Sequence, residues 1–515
     1  MAATGSTINS DSHAKPKSRT AVNGRFAFED LREITPETLE FGIGAPSFAM
    51  MAKLKPLLAE ATKQRMDYEE FGYMFQYGAL RGDHVFVQEL AKFLSQRYQD
   101  PVNSDDLMCT SGATNGLMML TCTMFRHGDY VFVEDPTYFL AIKTFRDDLG
   151  LNVVSVPIDN EGMNVEALEQ LILEHQEKLG ETSDKRPYRA MLYTIPVFNN
   201  PTTVSLSPER CTALIKVLRK YNIVAVCDDI YNIINFESKP PPRRLFSYDK
   251  KSDSDYKGHV VSNGTFSKII APGMRLGWLE APEIVLARLM FSAIVASGGG
   301  VNQYTSAIMG TALKNGILSP YFTDSINTFK RKMELMCNAL DKYAKPYVKY
   351  KKPMGGFFVW VELPPDCDAE AFQKYCIKNY KVSVRPGTCF SPNRNFKNFV
   401  RLSFAFLEEE RIDEGIQRDL LDFVDKLLGG NSNIIEEVAE ENDIAIEELT
   451  NEAKYSCAIC HKKYKTKTWL VKHTESKHQQ SGAETQLRTK LEVEIIFKLL
   501  MEAQKDISKD DAIQL

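Results

Sequence analysis

The sequence predicts an α/β fold in which a mainly parallel β-sheet is covered by helices on both faces. Between about residues 26 and 428, short apolar runs rich in β-branched and aromatic residues recur along the chain. Each run is followed by a polar turn and then by apolar residues at helical spacing. Buried parallel strands have this composition, and a strand–helix–strand order returns the chain to a parallel neighbour.

The elements can be assigned in order along the chain. The clearest strands are Tyr130–Val133, Ala190–Ile195 and Ile223–Cys227. A helix should begin at Pro208, because Ser207 can cap its N-terminus and proline is tolerated in a first turn. Another should run from Glu408 to Leu428, where Gly429 and Gly430 end it.

A chain of 515 residues is too long for one core, so several domains are expected. The predicted division is a disordered tail (1–25), an N-terminal segment with the large domain (26–317), a smaller α+β domain (318–430), an acidic linker (431–453), a lysine-rich module (454–479) and a helical tail (480–515).

Composition and charge limit which partners and cellular compartments are expected for the protein. The net charge of −5, with 43% hydrophobic and 25% charged residues, is typical of a globular protein without general attraction to nucleic acid or membrane. No apolar run approaches the ~20 residues that span a bilayer. Eight scattered cysteines without disulfide spacing indicate reduced thiols. We therefore expect a cytoplasmic protein without a membrane partner.

The segment 262–278 carries the most specific chemistry. Lys268 directly follows the hydroxyl of Ser267, Thr265 precedes it, and Arg275 lies beyond a Pro-Gly turn. A lysine amine forms a Schiff base with an aldehyde. Hydroxyls and a guanidinium fork hold a phosphate. Together these residues predict a site for pyridoxal 5'-phosphate (PLP).

Two further apolar runs carry charged residues that need partners. Asp228 follows the apolar run Ile223–Cys227, and Arg401 lies within the apolar run Phe399–Phe404. A buried carboxylate requires a cation and a buried arginine requires an anion. A protonated pyridine nitrogen is such a cation. Gly112, Ala113 and Thr114 add free backbone amides at a helix start, where phosphate can bind.

These motifs, in this order over about residues 30–420, resemble the class I/II aminotransferases of PLP-transferase fold type I. The resemblance implies that Lys268 is the catalytic lysine, which holds PLP as an internal aldimine. The implied cofactor contacts are Tyr77, Gly112, Ala113, Thr114, Tyr138, Asn200, Asp228, Tyr231, Thr265, Ser267, Lys268 and Arg275; the implied substrate contacts are Gly44, Asn200 and Arg401. Tyr77 resembles a tyrosine that reaches the phosphate in a neighbouring subunit, which implies a homodimer.

One position departs from the family pattern. Relatives usually have glycine three residues after the asparagine equivalent to Asn200, and this chain has Thr203. The turn that carries the asparagine is therefore expected to differ. A glycine run, Ser297–Gly300, is a candidate for shaping the substrate pocket.

The implied reaction transfers the amino group of an L-amino acid to a 2-oxo acid. The sequence looks closest to the group acting on kynurenine, 2-aminoadipate, aromatic or branched-chain amino acids. Two alternatives stay open. One is a PLP-dependent lyase or an enzyme like ACC synthase on the same scaffold. The other is a zinc-finger nucleic-acid-binding regulator whose PLP domain senses a ligand.

A second motif follows the enzyme-like region. Cys457, Cys460, His473 and His478 have the spacing C-x2-C-x12-H-x4-H, which suits tetrahedral zinc. The core positions of such a ββα finger are filled by Tyr455, Tyr464 and Leu470. So small a unit folds only around its metal. Its lysines predict a nucleic-acid or protein partner, with a nuclear location as the alternative to the cytoplasm.

Overall fold

The computed structural model describes residues 37–417, apart from 238, 346 and 366, together with 455–456 and 463–464. The described helices are α1 (Phe48–Ala52), α2 (Leu54–Asp67), α3 (His84–Tyr98), α4 (Ala113–Met124), α5 (Phe139–Lys143), α6 (Val165–His175), α7 (Pro208–Tyr221), α8 (Glu283–Met290), α9 (Ala293–Ala296), α10 (Gln303–Lys314), α11 (Ser319–Tyr343), α12 (Ala369–Tyr380) and α13 (Glu409–Ile416).

The described strands form a large sheet and smaller ones. They are β1 (Leu39–Glu40), β2 (Leu107–Thr110), β3 (Tyr130–Asp135), β4 (Asn152–Asp159), β5 (Gly162–Met163), β6 (Ala190–Thr194), β7 (Ile223–Asp228), β8 (Val260–Thr265), β9 (Gly277–Glu280), β10 (Lys349–Tyr350), β11 (Phe358–Glu362), β12 (Val382–Ser383), β13 (Arg385–Pro386), β14 (Phe399–Ser403), β15 (Tyr455–Ser456) and β16 (Lys463–Tyr464).

The large sheet has the strand order β2-β9-β8-β7-β6-β3-β4-β5. Strands β8, β7, β6, β3 and β4 run parallel to one another, whereas β9 and β5 are antiparallel to their neighbours. The mainly parallel sheet predicted from the sequence is confirmed, and the three predicted strands correspond to β3, β6 and β7.

Alternating residues of the central strands face opposite layers of helices. On β7, Val224 and Val226 join the apolar cluster that contains Leu117 and Leu120 of α4. Ala225 and Cys227 join the cluster formed with α6 and α7. This alternation follows from the two-residue repeat of a strand, and it buries both faces of the sheet.

The predicted helix start at Pro208 is confirmed. The Ser207 hydroxyl accepts a hydrogen bond from the Arg210 backbone N–H at 3.2 Å, and α7 ends before Asn222, which has a left-handed φ of 55°. Asparagine tolerates that conformation better than most residues. Of the second predicted helix, the structure describes only α13.

A smaller antiparallel sheet, β10-β11-β14-β13, follows the long helix α11. Its β14 carries Arg401, so this sheet brings the predicted substrate arginine to the large sheet. Within the described residues, no helix is long and apolar enough to cross a membrane. The segments predicted as tail, acidic linker and helical tail lie outside the described residues.

Candidate active site

The candidate site lies where parallel strands of the large sheet end. Asp228 is the last residue of β7, and Thr265 is the last residue of the adjacent β8. Lys268 follows Thr265 after a short turn. In open α/β sheets, ligands bind in the crevice outside the carboxyl ends of the strands. The fold therefore brings together residues that are far apart in the sequence.

Asp228 is the buried carboxylate at this edge. Its Oδ2 accepts a hydrogen bond from the Tyr193 hydroxyl at 2.8 Å. Burial raises the pKa of the Asp228 carboxyl to about 6, although the Tyr193 hydrogen bond and the charge of Lys268 oppose that rise. Near neutral pH the carboxyl can thus carry the negative charge that a protonated pyridine nitrogen requires.

Tyr193 was missed by the sequence analysis. Its Cα lies opposite Val226 in the β6–β7 register, and Val226 faces the same side of the sheet as Asp228. A tyrosine within an otherwise apolar strand was a visible signal. Its partner could not be identified, because the register between the two strands cannot be deduced from either strand alone.

Lys268 extends toward the N-terminal segment. Its Nζ donates a hydrogen bond to the Gly44 carbonyl at 2.6 Å. Burial lowers the pKa of the Lys268 amine to about 8, and the nearby charge of Arg401 lowers it further while that of Asp228 opposes the change. A lysine in this state is partly neutral near pH 7, as both a nucleophile and a general base must be.

Hydroxyl, guanidinium and backbone groups form a cup beside Lys268. The Thr265 and Ser267 hydroxyl oxygens are 2.9 Å apart, and the Arg275 Nη2 donates to the Ser111 carbonyl at 3.4 Å. Gly112 has a φ of +96°, and a Cβ there would lie 3.0 Å from Arg275 Nη2. Glycine therefore keeps space open directly in front of the guanidinium.

Helix α4 begins at this cup with Ala113, followed by Thr114. The first backbone amides of a helix have no partner within the helix and attract anions. Free amides, two hydroxyls and one guanidinium are the donor set that a phosphate monoester needs. The residues of the cup therefore fit the phosphate of PLP.

Tyr138, Asn200 and Tyr231 lie on the remaining sides of the site. Burial raises the pKa of the Tyr138 hydroxyl to about 12, and the charge of Asp228 contributes to the rise. Tyr231 is buried and packs edge-on against Phe358 with ring centroids 5.7 Å apart. The three predicted ring contacts are thus gathered near Asp228 and Arg401.

Arg401 is buried among aromatic rings. Its Nη1 donates to Asn200 Oδ1 at 2.8 Å and its Nη2 to the Gly42 carbonyl at 2.6 Å. Its Cζ lies 4.0 Å from the centroid of Phe358. Burial lowers the pKa of Arg401 to about 9, and its buried Nε has no hydrogen-bond partner. A desolvated guanidinium whose partners in the described part of the chain are neutral acceptors is suited to bind a carboxylate.

The departure at Thr203 leaves the backbone of the turn in a conformation that favours glycine. Thr203 has a φ of +59°, in the left-handed region, and its N–H donates to the Asn199 carbonyl at 2.6 Å. A β-branched residue is strained there. In this turn, therefore, a threonine occupies a left-handed position that glycine would occupy without strain.

Glu134 is a second residue whose role the sequence did not reveal. This buried carboxylate accepts hydrogen bonds from the Thr194 hydroxyl at 2.8 Å, the Ile195 N–H at 2.9 Å and the Asn199 side chain at 2.8 Å. Burial raises the pKa of Glu134 to about 7. It joins the ends of β3 and β6 to the loop that presents Asn200.

Tyr77 lies apart from these groups, with 77% of its surface exposed. The glycine run packs beside it: a Cβ on Gly299 would lie 2.2 Å from the Gly78 carbonyl oxygen. Within this chain, therefore, the run supports the segment that carries Tyr77. The zinc ligands Cys457, Cys460, His473 and His478 lie outside the described residues; around them, only β15 and β16 are described.

Comparison with known proteins gives consistent matches. The family model described as "Aminotransferase class I and II" matches residues 36–418. Aromatic-amino-acid aminotransferase 1 of Thermococcus litoralis is 31% identical over 362 residues, which cover 70% of this chain and 82% of the relative. The 2-aminoadipate transaminase of Thermus thermophilus is 28% identical over 404 residues, covering 77% of this chain and 94% of the relative.

A solved structure, that of the Pyrococcus horikoshii kynurenine aminotransferase, matches with a TM-score of 0.65 at 28% identity. The aligned residues make up 75% of this chain and 90% of the Pyrococcus horikoshii chain. The family match includes both main sheets and all the residues of the site described above.

Proposed function

The chain belongs to the class I and II aminotransferases, and from that premise we propose that it transfers the amino group of an aromatic, kynurenine-like, 2-aminoadipate-like or branched-chain L-amino acid to a 2-oxo acid. That it is a PLP-dependent transaminase with the type I fold follows from the family. The observation that carries the proposal is the position of Lys268, which follows the carboxyl end of β8 beside Asp228 and donates a hydrogen bond to the Gly44 carbonyl at 2.6 Å.

Each group of the site has a separate task in this reaction. The phosphate cup of Thr265, Ser267, Arg275 and the start of α4 would anchor the cofactor, and Asp228 would hold its ring nitrogen protonated. When bound, PLP supplies an electron sink that stabilises negative charge on the substrate α-carbon.

The protein supplies orientation and the proton transfer. Arg401 binds the substrate α-carboxylate through its fork, and Asn200 holds that fork in place. Lys268 Nζ removes the proton from the substrate α-carbon and holds it until it is returned. The partly neutral amine at pH 7 follows from its burial.

The aromatic rings near Arg401 support the proposed class of substrate side chain. The rings of Phe358, Phe390 and Phe139 lie with their centroids 4.0, 4.9 and 6.0 Å from the Arg401 Cζ. Aromatic walls favour apolar or aromatic substrate side chains. The three relatives compared above are named for aromatic amino acids, 2-aminoadipate and kynurenine.

The test is an assay of the PLP-loaded protein with L-phenylalanine, L-kynurenine, L-2-aminoadipate and L-leucine, each with and without a 2-oxo acid. We expect a new amino acid to form from the added oxo acid, and no sustained turnover without it. Ammonia release at the same rate without any oxo acid would instead identify a lyase. Absence of both with all four amino acids would contradict the proposed substrate group.

A homodimer is the proposed assembly. Large aromatic side chains are exposed over residues 68–77, namely Tyr68, Phe71, Tyr73, Phe75 and Tyr77, with 64–77% of their surfaces accessible. Phe75 stacks on the ring of Tyr304 of α10. An apolar patch of this kind typically marks an interface, and pairing would bring Tyr77 toward a second site.

A zinc finger at residues 454–479 is the proposed accessory module. Strands β15 and β16 pair antiparallel, with Tyr455 opposite Tyr464, so Cys457 and Cys460 fall in the segment that connects them. That pairing and the ligand spacing support a ββα unit around zinc. We expect one zinc per chain by atomic emission, and loss of that zinc in Cys457→Ser.

The partner of the module and the location of the protein are further parts of this proposal. The lysines of the module suit nucleic-acid phosphates, while protein binding is the alternative. Binding to RNA or DNA should then weaken steeply between 50 and 200 mM salt, whereas a protein contact should not. A cytoplasmic location is proposed, with the nucleus as the alternative, and imaging of the tagged chain distinguishes them.

A further inference from the structure

Two arginines lie directly opposite each other in the small sheet. In the antiparallel pair β13–β14, Arg385 is the partner of Arg401. Side chains of directly opposed residues point to the same face of a sheet, about 5 Å apart at Cβ. Like charges in that arrangement repel each other. An anion near both is therefore expected.

The described part of the chain does not supply a full counter-charge. Arg401 is held by the neutral oxygens of Asn200 and Gly42. Among the described residues, Arg385 forms no hydrogen bond or ion pair, and its buried Nε has no hydrogen-bond partner. A buried carboxylate that both arginines influence is Glu40, whose Oε1 accepts a hydrogen bond from the Gly42 N–H at 2.6 Å.

Glu40 only partly offsets the two cations. Burial raises the pKa of the Glu40 carboxyl, although the charges of Arg385 and Arg401 oppose that rise. One carboxylate, itself disfavoured in its charged form by burial, thus faces two guanidinium groups. The bound substrate contributes one further negative charge for each carboxylate that it carries.

Arg385 lies beside the same backbone segment that contacts Arg401. A Cβ on Gly42 would lie 3.7 Å from Arg385 Nη2, and the carbonyl of Gly42 binds Arg401. Two residues further along, Gly44 contacts the Lys268 amine. The Phe139 ring centroid lies 5.4 Å from the Arg385 Cζ and 6.0 Å from the Arg401 Cζ.

We propose that Arg385 binds the distal carboxylate of a dicarboxylic 2-oxo acid or amino acid whose α-carboxylate is held by Arg401. The inference rests on the proposed transamination, and it assigns one substrate of the pair to the dicarboxylic class. The planar fork of an arginine fits a carboxylate with two hydrogen bonds. The Phe139 ring, which lies near both guanidinium groups, can contact the apolar side chain of the other substrate.

The test compares two amino acceptors in Arg385→Gln. With 2-oxoglutarate, kcat/KM should fall about 10- to 100-fold, because a charge-assisted pair is lost. With the monocarboxylic 4-methyl-2-oxopentanoate, it should fall less than about threefold. Arg385→Lys should give an intermediate loss with 2-oxoglutarate, because the charge remains but the fork does not.

Arg394→Gln is the matched control, since Arg394 is on the same segment, is 62% exposed at its side chain and pairs with Glu370. It should leave both acceptors within about twofold of the wild type. Equal losses for the two acceptors in Arg385→Gln would show a structural role only and would overturn the proposal. No loss for 2-oxoglutarate would also overturn it.

Binding of unreactive acids separates this inference from the proposed reaction. Calorimetric titration of the PLP-loaded protein with glutarate and with 4-methylpentanoate requires no turnover. Glutarate should bind about 10-fold or more weakly to Arg385→Gln than to the wild type, while 4-methylpentanoate binding changes little. Failure of all transamination with this binding pattern intact would reject the proposed function alone. An unchanged glutarate affinity would reject the role of Arg385.

Discussion

At the scale of single residues, Lys268 combines a reactive state with a cost to stability. The amine is buried, and its pKa of about 8 lies below the usual value of 10.5 for lysine. Between those two values the unfolded chain binds more protons at this site than the folded chain. The free energy of unfolding of the apoprotein therefore rises with pH over that interval, and below pH 8 the lysine destabilises the fold by its full amount.

Lys268→Met should consequently stabilise the apoprotein at pH 7 by about 1–3 kcal/mol while it abolishes transamination. The gain should shrink as the pH rises from 8 toward 10.5. Urea unfolding of both apoproteins at pH 7 and pH 10 measures the difference. Lys63→Met, at an exposed position of α2, should show no comparable gain. Equal stabilities of Lys268→Met and wild type at pH 7 would contradict the expectation.

The hydrogen bond from Tyr193 gives a second expectation at this scale. It stabilises the charged form of Asp228, so its removal should raise the pKa of that carboxyl above about 6. As the solution is acidified, both proteins should lose affinity for PLP when Asp228 becomes protonated. In Tyr193→Phe this loss should occur about one pH unit higher than in the wild type. Fluorescence titration with PLP over pH 5–8 measures this.

Tyr188→Phe is the comparison for that experiment, because Tyr188 is also a buried tyrosine but donates to the Gly258 carbonyl. Its PLP affinity should follow the wild-type pH dependence. The same shift in both variants would indicate a general effect of losing a buried hydroxyl, and the assigned role of Tyr193 would be wrong.

At the scale of elements, strand ends were predictable and strand registers were not. Asp228 and Arg401 could be placed at or within apolar runs, and such runs form sheets whose parallel strands end at one edge. Tyr193 and Arg385 became meaningful only through their registers with β7 and β14. A shift of one residue in either pairing would turn these side chains to the other face.

The turn after Asn200 offers a test at the element scale. Thr203 has a left-handed backbone that costs an L-residue about 1–2 kcal/mol, and glycine avoids most of that cost. Glycine also gives the unfolded chain more conformational freedom, which offsets part of this gain. The net effect of Thr203→Gly should be a rise of about 1 kcal/mol in the free energy of unfolding. Denaturant unfolding checks the change.

Thr202→Gly is the matched control in the same turn. Its hydroxyl and N–H both donate to Asn199 Oδ1, so its replacement should destabilise the protein. If both substitutions stabilise the protein, or if Thr203→Gly destabilises it, backbone strain at Thr203 does not lower the free energy of unfolding.

At the scale of the whole molecule, the site within one chain lacks the residue that the family pattern assigns to a neighbour. Tyr77 is exposed, and so are the aromatic residues that precede it. No property of a single sequence shows which surface meets a second copy, and only the motif suggested that Tyr77 acts across an interface. The exposed patch gives that suggestion a physical basis, because water-exposed aromatic area favours association.

Phe75→Glu should therefore disrupt the dimer and the activity together. The Phe75 ring is 64% exposed in the single chain, and a carboxylate in its place would oppose burial in the proposed dimer interface. Light scattering should give twice the chain mass of 58.3 kDa for the wild type and the single-chain mass for the variant. Transamination should fall at least about 10-fold, because Tyr77 of a neighbour no longer completes the site.

Leu173→Glu on α6, at a residue that is 51% exposed, should leave both the mass and the activity unchanged. A wild type that is fully active at the single-chain mass would show that Tyr77 has no role in a second subunit.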